Sequence, residues 1–322
     1  MSAPRGPAAS PLRRASDWLS RTLLQPPLPL VAVEVRPRAV AVVRLARDGA
    51  RVGLAAAAAV ELPEGALEPS LSKPNVLDPV ALRAALRAAF ERAGALSGGP
   101  VSLVVPDPAV RLTLLPSLTL RGRHAEVEET LRFRLHKALP GDFDVRAARL
   151  AWRAVSADEV LVAVARDELI RSYEEPLEAL GFEVGLVEPA SLALSTLGDG
   201  EPGDGESLLV NWDHGYVSFQ VWRGERPLLI RTLPREDGAE AVARQAAQTL
   251  RFHREQLGGG GLAAVTLRAG ALDPGAASAV VERATGVAPR LVRPWAALGD
   301  AADGAEAQSV AGAAASVLRR VA

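Results

Sequence analysis

The chain has 322 residues, a hydrophobic content of 48% and a net charge of −1, as expected for a globular protein of about two domains. The balanced charge argues against a nucleic-acid partner bound through a strongly basic surface. The absence of cysteine excludes disulfides and thiolate metal ligands and agrees with a reducing cytoplasm. No apolar run reaches roughly 18 residues, so no transmembrane segment is predicted.

The N-terminal residues 1–30 are rich in Pro, Ala, Ser and Arg, and this composition predicts a disordered or amphipathic tail. Within it, residues 10–24 have the spacing of a short helix with leucines near one face. Such a helix could act as a weak membrane-surface anchor or bind a partner helix. The alternative, which we favour, is a solvated tail that is helical only part of the time.

Residues 31–45, V-A-V-E-V-R-P-R-A-V-A-V-V-R-L, predict two strands joined by a tight turn at Arg36, Pro37 and Arg38. A related pattern returns at residues 208–222, L-L-V-N-W-D-H-G-Y-V-S-F-Q-V-W. Each copy leads through a further hairpin into a third strand and then into a helical pattern. Two copies of one strand-rich unit predict a two-lobed α/β fold with a cleft between the lobes.

Alternating helices and strands are predicted between the two copies. The clearest helix starts after Asp78, a good N-cap that is followed by Pro79. The most amphipathic helix covers residues 123–139. The other elements of this region are predicted as strands at 101–105, 109–115, 149–154, 159–165 and 184–187, and as helices at 167–181 and 189–197.

Residues 198–206, G-D-G-E-P-G-D-G-E, have the composition of a flexible linker. Beyond the second set of strands, a helix is predicted at 238–257, in which we expect Phe252 to face inward and His253 to be solvated. The chain is then predicted to finish with a strand at 263–268, a helix at 274–285, a strand at 290–292 and an Ala-rich helix at 307–321.

The repeated hairpins resemble the actin-like (ribonuclease H-like) superfamily. Within it, the segment between the repeats resembles the FtsA-related PilM family of type IV pilus assembly proteins, through V-E-E-T-L-R-F-R-L-H-K-A-L-P at 127–140 and D-F-D-V-R-A-A-R-L-A-W at 142–152. The Ala-rich V-A-G-A-A-A-S-V-L-R at 310–319 is similar to the family's closing A-x-G-L-A-L-R helix.

The resemblance implies four regions after the tail. Lobe I is expected at 31–197, with a small FtsA/PilM-type subdomain inserted at about 109–182, and the linker at 198–206 leads to lobe II at 207–322. Lobe II is expected to be shortened, because the chain between its third strand and the helix at 238–257 is too short for the family's adenine-side subdomain. That subdomain is predicted to be missing or reduced.

The family's nucleotide-binding motifs have lost their chemical residues here. In the family the first turn reads approximately D-I-G-x-x-x-x-K and wraps a phosphate, for which glycine and inward-facing N–H groups are needed. A second D-x-G and a late glycine pair, which receives the adenosine, complete the family's site. On this chain Glu34 takes the first aspartate position, Arg36 the glycine and Ala41 the lysine. Asp213 stands where a phosphate would approach, which is electrostatically unfavourable without a metal. We therefore predict a non-enzymatic, degenerate member with no catalytic residue, cofactor or metal. Its vestigial cleft positions are Glu34, Arg36, Ala41, Asn211, Asp213 and Gly270.

Two alternatives stay open at this point. The first alternative is a working actin-like ATPase or kinase with a modified cleft. Glu34 and Asp213 keep oxygen ligands for Mg²⁺, and Arg36 could neutralise a phosphate. A GspL-like component of a type II secretion platform, which shares the fold, is the second. Proteins of that kind usually continue into a transmembrane helix, and none is predicted before Ala322.

The resemblance also implies a place and a partner. PilM-like proteins lie at the cytoplasmic face of a bacterial inner membrane and hold the N-terminal tail of a single-span PilN-like protein. We expect the tail to bind between the strands near 31–43 and the surface of 112–152, with no nucleic acid involved and oligomerisation left open. Four arginines are candidates for attracting an acidic or carboxylate-bearing tail: Arg111, Arg132, Arg149 and Arg153.

Overall fold

The computed structural model describes residues 29–48, 51–117, 123–139, 141, 143–197, 205–234, 238–270, 272–298 and 304–318. The predicted tail helix at 10–24 and most of the predicted linker at 198–206 lie outside the described residues. The described residues form two five-stranded sheets and one three-stranded sheet, with helices packed against them. No helix in this part of the chain is long and apolar enough to cross a membrane.

The strands are, in chain order, β1 (Val31–Arg36), β2 (Ala39–Asp48), β3 (Arg51–Glu61), β4 (Gly99–Val105), β5 (Arg111–Pro116), β6 (Ala148–Ala154), β7 (Glu159–Arg166), β8 (Phe182–Pro189), β9 (Glu206–Asp213), β10 (Tyr216–Arg223), β11 (Arg226–Pro234), β12 (Leu262–Ala269) and β13 (Arg290–Leu291). The helices are α1 (Pro79–Arg92), α2 (His124–Ala138), α3 (Asp167–Glu178), α4 (Ala190–Leu194), α5 (Ala239–Leu257), α6 (Pro274–Thr285) and α7 (Ala305–Leu318).

The lobe I sheet has the order β3-β2-β1-β4-β8 and is covered by helices on both faces. Coverage on both faces explains why β1 and β2 read as nearly continuous apolar runs. On one face, α1 packs through Leu82, Leu86 and Phe90. The helix begins as predicted, because the Asp78 carboxylate accepts hydrogen bonds from the N–H groups of its second and third residues.

The lobe II sheet repeats this arrangement in the order β11-β10-β9-β12-β13. The β9–β10 turn contains Gly215 at a φ of 79°, a left-handed conformation that glycine adopts without strain. Strand β11 ends at Pro234 and helix α5 begins at Ala239. This short connection has no room for a further subdomain, in agreement with the predicted shortening of lobe II.

The Ala-rich helix α7 joins the two lobes. One side packs against the lobe I sheet at Ala32, Ala41 and Val43. Through Ala311 and Ala315, the helix also contacts a cluster that contains Val104 of lobe I and Leu209 of lobe II. Its small side chains let both sheets approach the helix backbone closely, which brings the tips of β1, β9 and β12 together.

The third sheet belongs to the inserted segment and has the order β5-β7-β6. Helix α2 covers one face of it, burying Leu131 and Leu135 against Val160, Val162 and Val164 of β7. The leucines are four residues apart and therefore share one side of the helix. This packing gives the segment a hydrophobic cluster of its own.

The predicted orientation of α5 is wrong by about one residue. Phe252 is 45% exposed, whereas His253 is 1% exposed. The reason is a polar partner that periodicity does not reveal: His253 Nε2 and Glu206 Oε2 share a hydrogen bond of 2.8 Å at the start of β9. The same carboxylate accepts a hydrogen bond from Arg223 at 2.6 Å, so the buried His253 is part of a hydrogen-bonded group.

Candidate functional site

The turns that end β1 and β9 meet across the interlobe cleft through an ion pair. Arg36 donates from Nε and Nη2 to the two carboxylate oxygens of Asp213, at 2.9 and 3.0 Å. It also donates to the carbonyl oxygens of Gly270, at 2.7 Å, and Ser309, at 3.3 Å. Arg36 and Asp213 occupy equivalent positions in the two repeats, so the pair joins the lobes near their pseudo-symmetry axis.

A second guanidinium, from Arg268 near the end of β12, completes this arrangement. Arg268 donates to Glu34 Oε1 at 3.0 Å, to Asp213 Oδ2 at 2.8 Å and to Asn211 Oδ1 at 3.0 Å. Its Nε also donates to the Gln308 carbonyl of α7 at 3.1 Å. The side chain is 0% exposed. We refer to Glu34, Arg36, Asp213 and Arg268 as the interlobe cluster.

The cluster contains two cations and two carboxylates, all buried. Burial by itself would raise the pKa of Asp213, but Arg36 and Arg268 hold it well below its usual range. Burial raises the pKa of Glu34 in spite of the same two arginines. Glu34 also accepts a hydrogen bond from the Gly312 N–H of α7 at 3.1 Å. Each charge thus has the oppositely charged partners that a buried ion requires.

Asp107 extends the polar contacts around the cluster. It lies in a short 3-10 turn after β4 and accepts a hydrogen bond from the Ser191 N–H of α4 at 2.8 Å, and another from the Ser191 hydroxyl. Its other donor is Asn211 Nδ2, at 2.9 Å. Asn211 therefore links Asp107 of lobe I to Arg268 of lobe II.

The guanidinium of Arg36 occupies the space above Gly270. A Cβ built on Gly270 would lie 2.4 Å from Arg36 Nη2 and 3.2 Å from Asp213 Cγ. Ala41, at the family's lysine position, is buried, and its backbone lies opposite Glu34 in the β1–β2 ladder. In the described ranges no group of three or more His, Cys, Asp or Glu side chains could hold a metal ion. Chemically, the arrangement is a neutral ionic link between the lobes.

A groove of about 350 Å³ separates the inserted subdomain from lobe I. One wall is the free edge of β8, which bonds to β4 only among the described strands. The opposite wall is formed by β6, β7 and α3. The lining is largely apolar and includes Leu150, Ala151, Ala163, Ile170, Gly185 and Leu186. We call this the subdomain groove.

No family model matches the sequence, and no curated protein matches it. Among solved structures, a PilM-PilN type IV pilus biogenesis complex is similar over 90% of this chain and 98% of that chain, with a TM-score of 0.74 and 19% identity. A Bacteroides thetaiotaomicron protein with an actin-like ATPase fold is similar over 87% and 94%, with a TM-score of 0.52 and 10% identity. This chain has a PilM-like, actin-like fold.

The similarity confirms the predicted fold class. A weaker match is the cytoplasmic domain of EpsL, an inner-membrane component of the type II secretion system of Vibrio cholerae, with a TM-score of 0.48 and 13% identity over 76% of this chain and 83% of that chain. Within the PilM-like fold, the positions named from sequence come together as expected: Glu34, Arg36, Asn211, Asp213 and Gly270 all lie at the cleft.

Several cleft residues were missed by sequence reasoning. Arg268 is the most important of them. The sequence feature that could have identified it is a charged residue near the end of the largely apolar strand L-A-A-V-T-L-R-A. Gln308 and Gly312 contact the cluster from α7. Asp107 and Ser191 reach it from lobe I through Asn211. None of these contacts was predicted from the sequence.

The PilM-like fold places the subdomain groove differently from the sequence-based expectation. The strands near 31–43 do not form its wall, because β4 and β8 lie between β1 and the subdomain. The wall of the subdomain groove on the lobe I side is therefore β8, whereas the sequence-based expectation placed the tail beside the strands near 31–43.

The four candidate arginines do not form one patch in the structure. Arg111 is exposed on β5 and Arg153 on β6, at opposite edges of the three-stranded sheet. Arg149 lines the groove but is paired with Glu174 and Asp167, each at 2.6 Å. Arg132 pairs with Glu128 at 2.7 Å. Their proposed contribution to tail binding stays a prediction.

Proposed function

We propose that this protein is a non-enzymatic scaffold of a type IV pilus, or related secretion, assembly platform at the cytoplasmic face of the inner membrane. The observation that carries this proposal is the guanidinium of Arg36 above Gly270, in the space that the family resemblance assigns to adenosine. The protein's own charges fill the cleft, and both carboxylates that could ligate Mg²⁺ already bind arginine.

We further propose that the scaffold holds the N-terminal tail of a PilN-like membrane protein in the subdomain groove. The similar PilM structure was solved in complex with PilN. In this chain the free edge of β8 offers unpaired backbone groups to an extended segment. The apolar side chains of the groove provide pockets for alternate side chains of that segment.

Titration calorimetry with Mg-ATP tests the first part of the proposal. We expect no binding heat up to millimolar nucleotide, because a phosphate would have to displace guanidiniums that already pair with carboxylates. Micromolar binding that is lost in Glu34→Gln and Asp213→Asn would contradict the non-enzymatic reading, since those carboxylates would then be metal ligands in a working cleft.

Ala151→Arg tests the second part. Ala151 is exposed and lines the groove, so an arginine there fills the space without disturbing the core. We expect the affinity for a synthetic peptide of the partner's N-terminal tail to fall roughly tenfold or more, a loss of about 1.4 kcal/mol or more. Ala154→Arg is the matched control, because Ala154 is also an exposed alanine of β6 but lies outside the groove lining. Equal affinities in the two variants would reject the groove as the tail site.

A further inference from the structure

A second groove lies between the inserted subdomain and lobe II, where two free sheet edges face each other. Among the described strands, β5 bonds only to β7, and β11 bonds only to β10. Leu112 of β5 and Ile230 and Thr232 of β11 line a cavity of about 320 Å³. This volume is within the range of roughly 300–1,000 Å³ that is typical of ligand sites. We call this cavity the edge groove.

An ion pair links the two strands at the end away from the edge groove. Arg226, at the start of β11, bonds to Glu159 at 2.8 Å. Glu159 lies opposite Pro116, at the end of β5. The two edges therefore run in opposite directions, linked at this end and lined by the groove at the other.

One hydrogen bond shows which backbone groups of β5 face the groove. The Ser117 N–H donates to the Asp158 carbonyl at 2.7 Å, so residue 117 faces β7. Because the backbone groups of successive residues in a strand alternate between its two sides, Leu112 and Leu114 direct theirs away from β7. These N–H and C=O groups form no hydrogen bond with the part of the chain that the structure describes.

The same reasoning applies to β11, starting from β9. The Trp212 carbonyl accepts a hydrogen bond from the Gly270 N–H at 2.7 Å, and so faces β12. In the ladders that follow, the odd-numbered residues of β10 face β11 and the odd-numbered residues of β11 face β10. Ile230 and Thr232 therefore direct their N–H and C=O groups toward β5, and within the described ranges these groups are also unpaired.

Two facing edges with unpaired backbone groups suit an extended segment of another chain. Such a segment adds to a sheet edge through main-chain hydrogen bonds, and here it can form them on both of its sides. The lobe II sheet and the subdomain sheet would then become one continuous sheet. Free edges of this kind are usually covered in a native protein.

Arg111 gives the edge groove a preference for negative charge. Its side chain is exposed and lines this groove, and it forms no ion pair or hydrogen bond with any residue that the structure describes. The acidic residue of the lining, Asp107, is 2% exposed and accepts hydrogen bonds from Ser191 at 2.8 Å and Asn211 at 2.9 Å. A carboxylate that enters the groove therefore finds a cation available for a charge-assisted hydrogen bond.

We propose that the edge groove binds an extended segment of a partner protein in which a carboxylate side chain lies among uncharged residues. This inference does not rest on the proposed function, because the PilN-like tail is assigned to the subdomain groove on the other side of the inserted segment. A bound segment bridges β5 and β11, and so fixes the inserted subdomain against lobe II.

Selection from a random octapeptide library displayed on phage tests the proposal. The bait is the full chain with Ala151→Arg, in which the subdomain groove is filled, so that peptides for that groove are not selected. We expect the enriched peptides to contain Asp or Glu. Synthetic copies of them should bind the bait roughly tenfold or more tightly than they bind a bait that also carries Arg111→Glu. Hydrogen exchange should show that the bound peptide protects the N–H groups of Ile230 and Thr232.

Thr232→Pro tests the backbone contact, and Thr232→Val is its matched control. Proline removes the N–H that faces the groove, and an edge strand tolerates it because that N–H makes no ladder bond. Both variants lose the hydroxyl that bonds to Ser218 at 2.8 Å, but valine keeps the N–H. We expect peptide affinity to fall roughly tenfold in Thr232→Pro and to stay within about twofold in Thr232→Val.

Urea unfolding of each variant shows whether it is folded, and Arg111→Glu alone decides the result if Thr232→Pro is not. A library that yields no binder would overturn the inference. So would enriched peptides without an acidic residue, or peptides that bind the bait and its Arg111→Glu variant equally. None of these outcomes bears on the subdomain groove, which the Ala151→Arg and Ala154→Arg comparison tests separately.

Discussion

Arg268→Ala should lower the free energy of unfolding by about 3–5 kcal/mol, the range measured when one partner of a buried ion pair is removed. Without the guanidinium, Glu34 keeps the hydrogen bond from the Gly312 N–H, and Asp213 keeps Arg36 and the His214 N–H. Urea unfolding followed by linear extrapolation gives the value directly. The loss should appear as a lower midpoint, because the interlobe cluster is an intrinsic part of the fold.

Arg283→Ala is the matched control for that measurement. Arg283 also pairs with a carboxylate, that of Glu240, but the two side chains are 60% and 73% exposed. An exposed pair contributes at most about 1 kcal/mol. A second variant, Arg268→Met with Glu34→Gln, removes a charge of each sign and should recover part of the loss. Equal losses in Arg268→Ala and Arg283→Ala would show that the cluster does not hold the lobes together.

Local sequence patterns predicted the fold well, because they depend on residues that are close together in the sequence. The hairpin of β1 and β2 and the cap at Asp78 depend on residues within a few positions of one another. The two repeats could therefore be identified, and with them the two lobes and the cleft between them. The leucine spacing of α2 predicted that helix in the same way, whereas the inserted subdomain was expected from the resemblance to the PilM family.

The contacts inside the cleft could not be predicted by the same means. Arg268 and Glu34 are 234 positions apart, and Gly312 and Glu34 are 278 apart. A sequence read alone shows that glycine and lysine are missing from the nucleotide motifs, but not what fills the space. The isolated Asp213 suggested an unfavourable charge without a metal, whereas two guanidiniums that lie elsewhere in the sequence neutralise it.

The error in α5 has a related physical cause. Periodicity assigns the inward side of a helix by hydrophobicity, and phenylalanine ranks above histidine on any such scale. His253 is buried because its partner, Glu206, lies at the start of β9 and is itself out of solvent. Where a buried acceptor needs a donor, the hydrogen bond decides which side of the helix faces inward.

Gly312→Ala should destabilise the protein by about 2 kcal/mol, although the same change inside an ordinary helix is stabilising by up to about 1 kcal/mol. A Cβ on Gly312 would lie 2.4 Å from Glu34 Cδ and 2.5 and 2.6 Å from its oxygens. The carboxylate has nowhere to move, because it is fully buried and bonded to Arg268. Gly53→Ala is the control, since no atom lies within 4 Å of its Cβ position, and it should change stability by less than about 0.5 kcal/mol.

The cause of the Gly312 effect can be isolated with a double-mutant cycle. If the clash with Glu34 is responsible, Gly312→Ala should become nearly neutral in a Glu34→Ala background, with a coupling energy of about 1–3 kcal/mol. Additive losses would instead place the strain elsewhere in α7. Coupling of this size would show that Gly312, the glycine of the closing A-x-G motif, has a structural role that does not depend on a nucleotide. Its missing side chain lets the helix backbone approach Glu34, and its N–H helps to hold the carboxylate that binds Arg268 across the cleft.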